Sequence, residues 1–64
     1  MWICIEIKQF EHRKTKIINN ENELEDFLKN KNLYEYYKEI KKLKIKEEIN
    51  TEGYADYFIF GRIN

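Results

Sequence analysis

The first third of the chain has a hydrophobic pattern typical of two β-strands. Residues 1–10 alternate between two sides, and alternation with period two among β-branched residues predicts a strand. Residues 11–14 are polar and predict a hairpin turn, after which residues 15–19 predict a short strand at a sheet edge. One side of the first strand carries Ile3, Ile5 and Ile7, and the other carries Trp2, Cys4 and Phe10.

The end of the chain predicts a second pair of strands. Residues 54–63 predict a long aromatic strand whose two sides are both apolar. Residues 43–49 alternate as well and are interpreted as a strand, although a helix that continues to residue 48 is the alternative. Residues 50–53 predict the turn between these strands, since Asn and Gly favour turns.

The middle of the chain has helical periodicity with an interruption near residues 30–32. Asn20 or Asn22 is expected to cap the first helix, each with a glutamate three residues later. Asn32 is expected to cap a second helix in the same way. The apolar positions repeat at helical spacing and form a stripe at Leu24, Phe27, Leu28, Leu33, Tyr37 and Ile40.

These elements predict an α+β fold in a single domain, residues 1–64. The order along the chain is β-β-α-α-β-β, and we expect an antiparallel sheet of about four strands with one or two helices on one face. The helical stripe is expected to pack on the isoleucine side of the sheet, formed by Ile3, Ile5, Ile7 and Ile59.

Composition changes this picture by excluding several functions. Twelve basic and twelve acidic residues give a formal net charge of zero, whereas nucleic-acid-binding proteins usually carry a basic excess. A single cysteine allows no internal disulfide, which favours the reducing cytoplasm of a bacterial or archaeal host. No run approaches the roughly 20 apolar residues of a membrane-spanning helix.

Catalytic and metal-binding groups are too few for an enzyme. The chain has one cysteine, Cys4, one histidine, His12, and no serine, so the usual nucleophile and base pairs are missing. Zinc needs three or four ligands at characteristic spacing, and two glycines are too few for a phosphate-binding loop. We therefore expect no catalytic residues, no metal site and no cofactor.

The second apolar side of the sheet predicts a protein-binding site. A single helical layer covers only one side of a sheet, and a large apolar surface left in water indicates a partner. We expect this partner to be a host protein, a second copy of the chain, or both, and to contact Trp2, Tyr54, Phe58 and Phe60.

Size and composition extend this expectation to a biological role. Ten lysines against two arginines, and ten isoleucines without a valine, are typical of an AT-rich genome. In general character the chain is similar to phage- or mobile-element-encoded antagonists of host enzymes, such as anti-CRISPR and other anti-defence proteins. That similarity implies inhibition by steric occlusion of a host protein.

The alternative function is a small nucleic-acid-binding module. It would stack bases on Tyr54, Phe58 and Phe60. It would bind phosphates through the lysine segment, which comprises Lys38, Lys41, Lys42, Lys44 and Lys46.

Overall fold

A computed structural model describes residues 1–8, 12–52 and 56–64 of the chain. They form an α+β fold with four strands and two α-helices in the predicted order β-β-α-α-β-β. A 3-10 turn, Tyr34–Tyr36, leads directly into the second helix. The elements are β1 (Trp2–Lys8), β2 (His12–Ile18), α1 (Glu21–Asn30), α2 (Tyr37–Lys41), β3 (Glu48–Glu52) and β4 (Asp56–Arg62).

The four strands form one antiparallel sheet with the spatial order β2-β1-β4-β3. The first and last strands are therefore neighbours at the centre, and β2 and β3 form the two edges. Ile5 of β1 lies opposite both Thr15 of β2 and Ile59 of β4, which fixes the register of the sheet.

Two strand boundaries differ from the sequence prediction. Residues 12–14 belong to β2 and pair with β1, so they are not a turn. A polar sequence is compatible with pairing here because an edge strand exposes much of its surface to water. Residues 50–52 likewise belong to β3 and are not a turn. The predicted turn and strand residues Gly53, Tyr54 and Ala55 lie outside the described part of the chain.

The predicted strand over residues 43–49 is wrong, because most of this segment is a loop that is tied to the end of β4. Lys46 adopts a left-handed backbone conformation with φ of 74°, which interrupts an extended chain. Its N–H donates to the Arg62 carbonyl at 3.0 Å, and the Arg62 N–H donates to the Glu47 carbonyl at 3.1 Å. Regular pairing of β3 with β4 begins only at Glu48.

Asparagines define both ends of α1. The Asn20 side chain accepts a hydrogen bond from the Glu23 N–H at 2.9 Å, which confirms Asn20 as the N-cap. Asn32 has φ of 62°, and the following residue, Leu33, donates to the Leu28 carbonyl at 2.7 Å. This is a Schellman termination. The prediction that Asn32 caps the second helix is therefore wrong, since it ends the first.

The hydrophobic core lies between the helices and the side of the sheet that carries Trp2. Phe27 of α1 meets Phe60 edge to face with ring centroids 6.2 Å apart. The helical stripe was expected to pack on the side formed by Ile3, Ile5, Ile7 and Ile59, and this prediction is wrong. The fully packed core consists of Trp2, Cys4, Ile18, Leu24, Leu28, Ile40 and Phe60.

Two side chains of the sheet fasten the end of α2. The Trp2 indole N–H donates to the Ile40 carbonyl at 3.0 Å, and the bond is buried. The Arg62 guanidinium lies over the Trp2 ring and donates to the Leu43 carbonyl at 3.4 Å. The Ile40 carbonyl also accepts from the Leu43 N–H at 3.2 Å, so the Trp2 bond is a second one at this helix end, and Leu43 lies just after the helix. A helix of only five residues is thereby held against the sheet.

Candidate interaction surface

Three of the four aromatic residues predicted to bind a partner, Trp2, Phe58 and Phe60, lie on the side of the sheet that the helices cover. Trp2 is 3% exposed and Phe60 is 0% exposed. Phe58 is partly buried and packs against the same core, and Tyr54 lies outside the described residues. For Trp2, Phe58 and Phe60, the prediction of an uncovered face is wrong. Burial of the larger aromatic rings removes more apolar surface from water, so the helices cover this side.

The opposite side of the sheet is the uncovered one. Within the described part of the chain, no helix packs on it, and none of its side chains belongs to the buried core. Ile17 and Tyr57 are 44% and 40% exposed, and the other apolar members are partly exposed. We call this surface the open face; its apolar residues are Ile3, Ile5, Ile7, Ile17, Tyr57 and Ile59.

Strand register arranges the open face as apolar central strands between edges that are polar except at Ile17. In the middle row, Ile5 and Ile59 lie side by side on the two central strands. Thr15 of β2 flanks Ile5, and Asn50 of β3 flanks Ile59. Arg13 lies in the neighbouring row that contains Ile7, and Glu48 lies in the row on the other side, which contains Ile3. An apolar centre with a polar rim is the usual anatomy of a protein-binding surface.

The sequence analysis placed the isoleucine side of the sheet against the helices. Two features of the sequence favour burial of the aromatic side instead. Cys4 lies on the aromatic side, and cysteine is among the most frequently buried residue types. Gly61 lies in the same row of the open face as Ile3, so that side has fewer atoms to bury.

The lysine segment lies on α2 and the loop that follows it, and all five lysines are exposed. Glu39 lies between the first two of them, and Glu47 and Glu48 follow directly after Lys46. Lys41 also pairs with Glu21 of α1, with 3.8 Å between the charged atoms. The segment is therefore a surface of mixed charge, and Phe60, one of the rings expected to stack bases, is buried away from it.

The polar groups buried beneath the helices form a structural cluster. The Glu6 carboxylate lies 3.6 Å from the Lys8 ammonium and 3.8 Å from that of Lys31. Burial, reinforced by the nearby Glu6 carboxylate, raises the pKa of the Cys4 thiol to about 12. Cys4 is therefore protonated at neutral pH, and a protonated thiol is a poor nucleophile.

Register also separates Cys4 from the histidine. His12 lies opposite Lys8, four residues along β1 from Cys4, which corresponds to roughly 13 Å of strand. Among the residues that the structure describes, no three histidine, cysteine or acidic side chains come close enough together to hold a metal ion.

Neither described helix is long and apolar enough to cross a membrane. Comparison of the chain with protein-family models, with curated proteins and with solved structures finds no significant match. The open face is accordingly the feature on which a functional proposal rests.

Proposed function

We propose that the protein is a small non-enzymatic protein-binding module whose contact surface is the open face. The observation that carries the proposal is the set of six apolar side chains on one side of the sheet, without a covering layer in the described chain. Contiguous apolar surface of this kind on a small protein marks an interaction site.

The biological role that we propose is inhibition of a larger host protein by steric occlusion, in the manner of phage- or mobile-element-encoded antagonists acting in the cytoplasm. Support comes from the small size and the AT-rich composition of the chain. A preformed sheet face supports it further, because a rigid surface loses little conformational entropy on binding. The same face is available to a second copy of the chain.

A matched pair of substitutions tests the proposal. Ile5→Lys places a charge at the centre of the open face, whereas Ile45→Lys makes the identical change in the loop before β3, where Ile45 is 61% exposed. Both tagged variants and the parent are used to capture proteins from a host lysate. Circular dichroism verifies that each variant is folded, and Ile17→Lys at the exposed edge of the same face provides a milder second test.

We expect Ile5→Lys and Ile17→Lys to lose the protein that the parent captures, and Ile45→Lys to retain it. Burying an unpaired ammonium in an apolar contact costs far more than leaving it in water. Folded Ile5→Lys and Ile17→Lys variants that capture the same protein as the parent would refute the open face as the contact surface.

A further inference from the structure

The outer edge of strand β2 has no neighbouring strand. Within the part of the chain that the structure describes, β2 pairs with β1 on one side, and no backbone hydrogen bond joins its other side. Residues 13–17 are all exposed. An edge strand of this kind presents a row of N–H and carbonyl groups with which another extended chain can pair.

The charge on this edge strand is entirely basic. It contains Arg13, Lys14 and Lys16 and no acidic residue. Among the described residues, none of these three forms an ion pair, and the Glu6 carboxylate opposite Lys14 pairs with other lysines. Strand register places Arg13 on the open face and both lysines on the side that the helices cover. Opposite charges on neighbouring strands attract, so the edge favours an acidic strand.

We infer that the outer edge of β2 binds an extended acidic segment of a protein partner, which adds to the sheet antiparallel to β2. This site goes beyond the proposed function, because it is the edge of the sheet and not the open face. A second copy of β2 would oppose cations to cations, which destabilises paired strands. A peptide strand also satisfies the N–H and carbonyl groups of the edge, which favours it over a nucleic acid.

A groove beside β2 gives the added strand room on the side that the helices cover. The groove lies between β2 and α1 and has a volume of about 390 Å³. Its walls include Lys16 and Phe27, whose ring centroid lies 6.0 Å from the Lys16 ammonium. Glu23 and Asp26 of α1 line it as well, so the groove has mixed charge. The partner side chain opposite Lys16 is therefore expected to be neutral.

Strand pairing predicts the sequence of the partner segment, because side chains directly opposite each other lie on the same face. Read from its N-terminus, an antiparallel segment meets Ile17, Lys16, Thr15, Lys14 and Arg13 in that order. We expect an apolar residue first, then two neutral polar residues, and then two adjacent acidic residues. The two acidic side chains meet one cation on each face of the sheet.

A synthetic peptide of about seven residues, the length of β2, tests this inference. The probe contains the sequence Val-Gln-Thr-Glu-Glu, and the control peptide has lysine in place of both glutamates. Nuclear magnetic resonance of the isotope-labelled protein follows its amide signals up to about 1 mM peptide. We expect the probe to shift the signals of residues 13–17 and the control to bind about tenfold more weakly. A probe that leaves these signals unchanged, or binds no better than the control, overturns the inference.

A charge exchange between protein and peptide tests the predicted register. Arg13→Glu should weaken binding of the probe about threefold, and a peptide with lysine in place of the second glutamate should restore it. The control, Lys38→Glu, makes the same type of change at an exposed position of α2 and should bind the probe as the parent does. The amide spectra verify that both variants are folded. Equal weakening by the two variants overturns the register.

Methylation of alternate peptide amides distinguishes strand pairing from charge attraction alone. The amides of a paired strand point alternately toward its neighbour and away from it, so methylating one alternate set should abolish binding and methylating the other should retain it. Equal binding by both methylated peptides overturns strand pairing. An oligonucleotide that shifts the same amides at lower concentration than the probe also overturns the inference. A folded Ile5→Lys variant should still bind the probe, which separates this edge from the open face.

Discussion

Burial of Cys4 in the core decides the reactivity of its thiol. The thiol lies within the core, where burial and the Glu6 carboxylate disfavour the thiolate. The thiolate is the reactive form toward alkylating reagents. Reaction of this thiol with an alkylating reagent therefore reports unfolding of the chain.

We predict that Cys4 in the folded protein does not react with iodoacetamide at pH 8, and that it reacts readily once urea unfolds the chain. Mass spectrometry after timed labelling measures the modified fraction. The control is the same labelling in urea, where the pKa of the thiol is close to its ordinary value of 9.0. Modification at the same rate with and without urea would contradict the buried position.

The same pKa shift predicts how stability depends on pH. The pKa of the Cys4 thiol is higher in the folded chain than in the unfolded chain. The stability that this protonated thiol contributes is therefore complete below about pH 9 and is lost as the pH rises toward about 12. In urea unfolding, the stability advantage of the parent over Cys4→Ala should therefore shrink across this window. Other groups titrate equally in both proteins, so their contributions cancel in the difference.

At the scale of elements, α2 depends on the sheet for its position. It has five residues, far fewer than the ~12–15 at which isolated helices are even marginal. Its last carbonyls instead find donors on Trp2 and Arg62, which belong to the two central strands. The sheet therefore specifies where α2 ends.

We predict that Trp2→Phe destabilises the protein by about 1 kcal/mol, because the Ile40 carbonyl loses a buried hydrogen bond and keeps only the one from the Leu43 N–H at 3.2 Å. Urea unfolding followed by circular dichroism measures the change. Tyr57→Phe on the open face is the control, and it should remain within about 0.5 kcal/mol of the parent. Equal stability of Trp2→Phe and the parent would show that the bond to α2 contributes nothing.

The sequence predicted element type and order better than it predicted element contacts. Period-two alternation over β1 and the spacing of Leu24, Phe27 and Leu28 depend on local geometry, and both elements form as predicted. The edge strand β2 was assigned too short, because its polar residues resemble a turn. Pairing with β1, which local sequence does not encode, makes it a strand.

The sequence predicted an uncovered apolar side of the sheet but assigned it to the wrong side. Both sides of β1 and β4 are apolar, so hydrophobic alternation could not decide which one the helices cover. The choice depends on three-dimensional fit: Phe27 meets Phe60, and the Trp2 indole reaches the Ile40 carbonyl. Neither contact joins residues that are close in sequence.

At the scale of the whole molecule, charge and aromatic placement together disfavour nucleic-acid binding. The net charge is zero, whereas neutralisation of phosphates supplies most of the affinity of such proteins. The lysine segment contains Glu39 and is followed by two further glutamates, and Glu21 of α1 already pairs with Lys41. Bases stack on exposed rings, but Phe60 is fully buried and Phe58 is packed at the core.

We therefore predict that single- and double-stranded oligonucleotides bind more weakly than about 100 µM at about 0.15 M salt. Fluorescence anisotropy across a series of salt concentrations measures this affinity. The matched variant is Lys42→Glu with Lys44→Glu, which reverses two exposed charges of the lysine segment and should bind no differently from the parent. Low-micromolar binding that falls steeply with salt and disappears in this variant would contradict the prediction. It would also move the functional surface from the open face to the lysine segment, because counterion release would then supply the affinity.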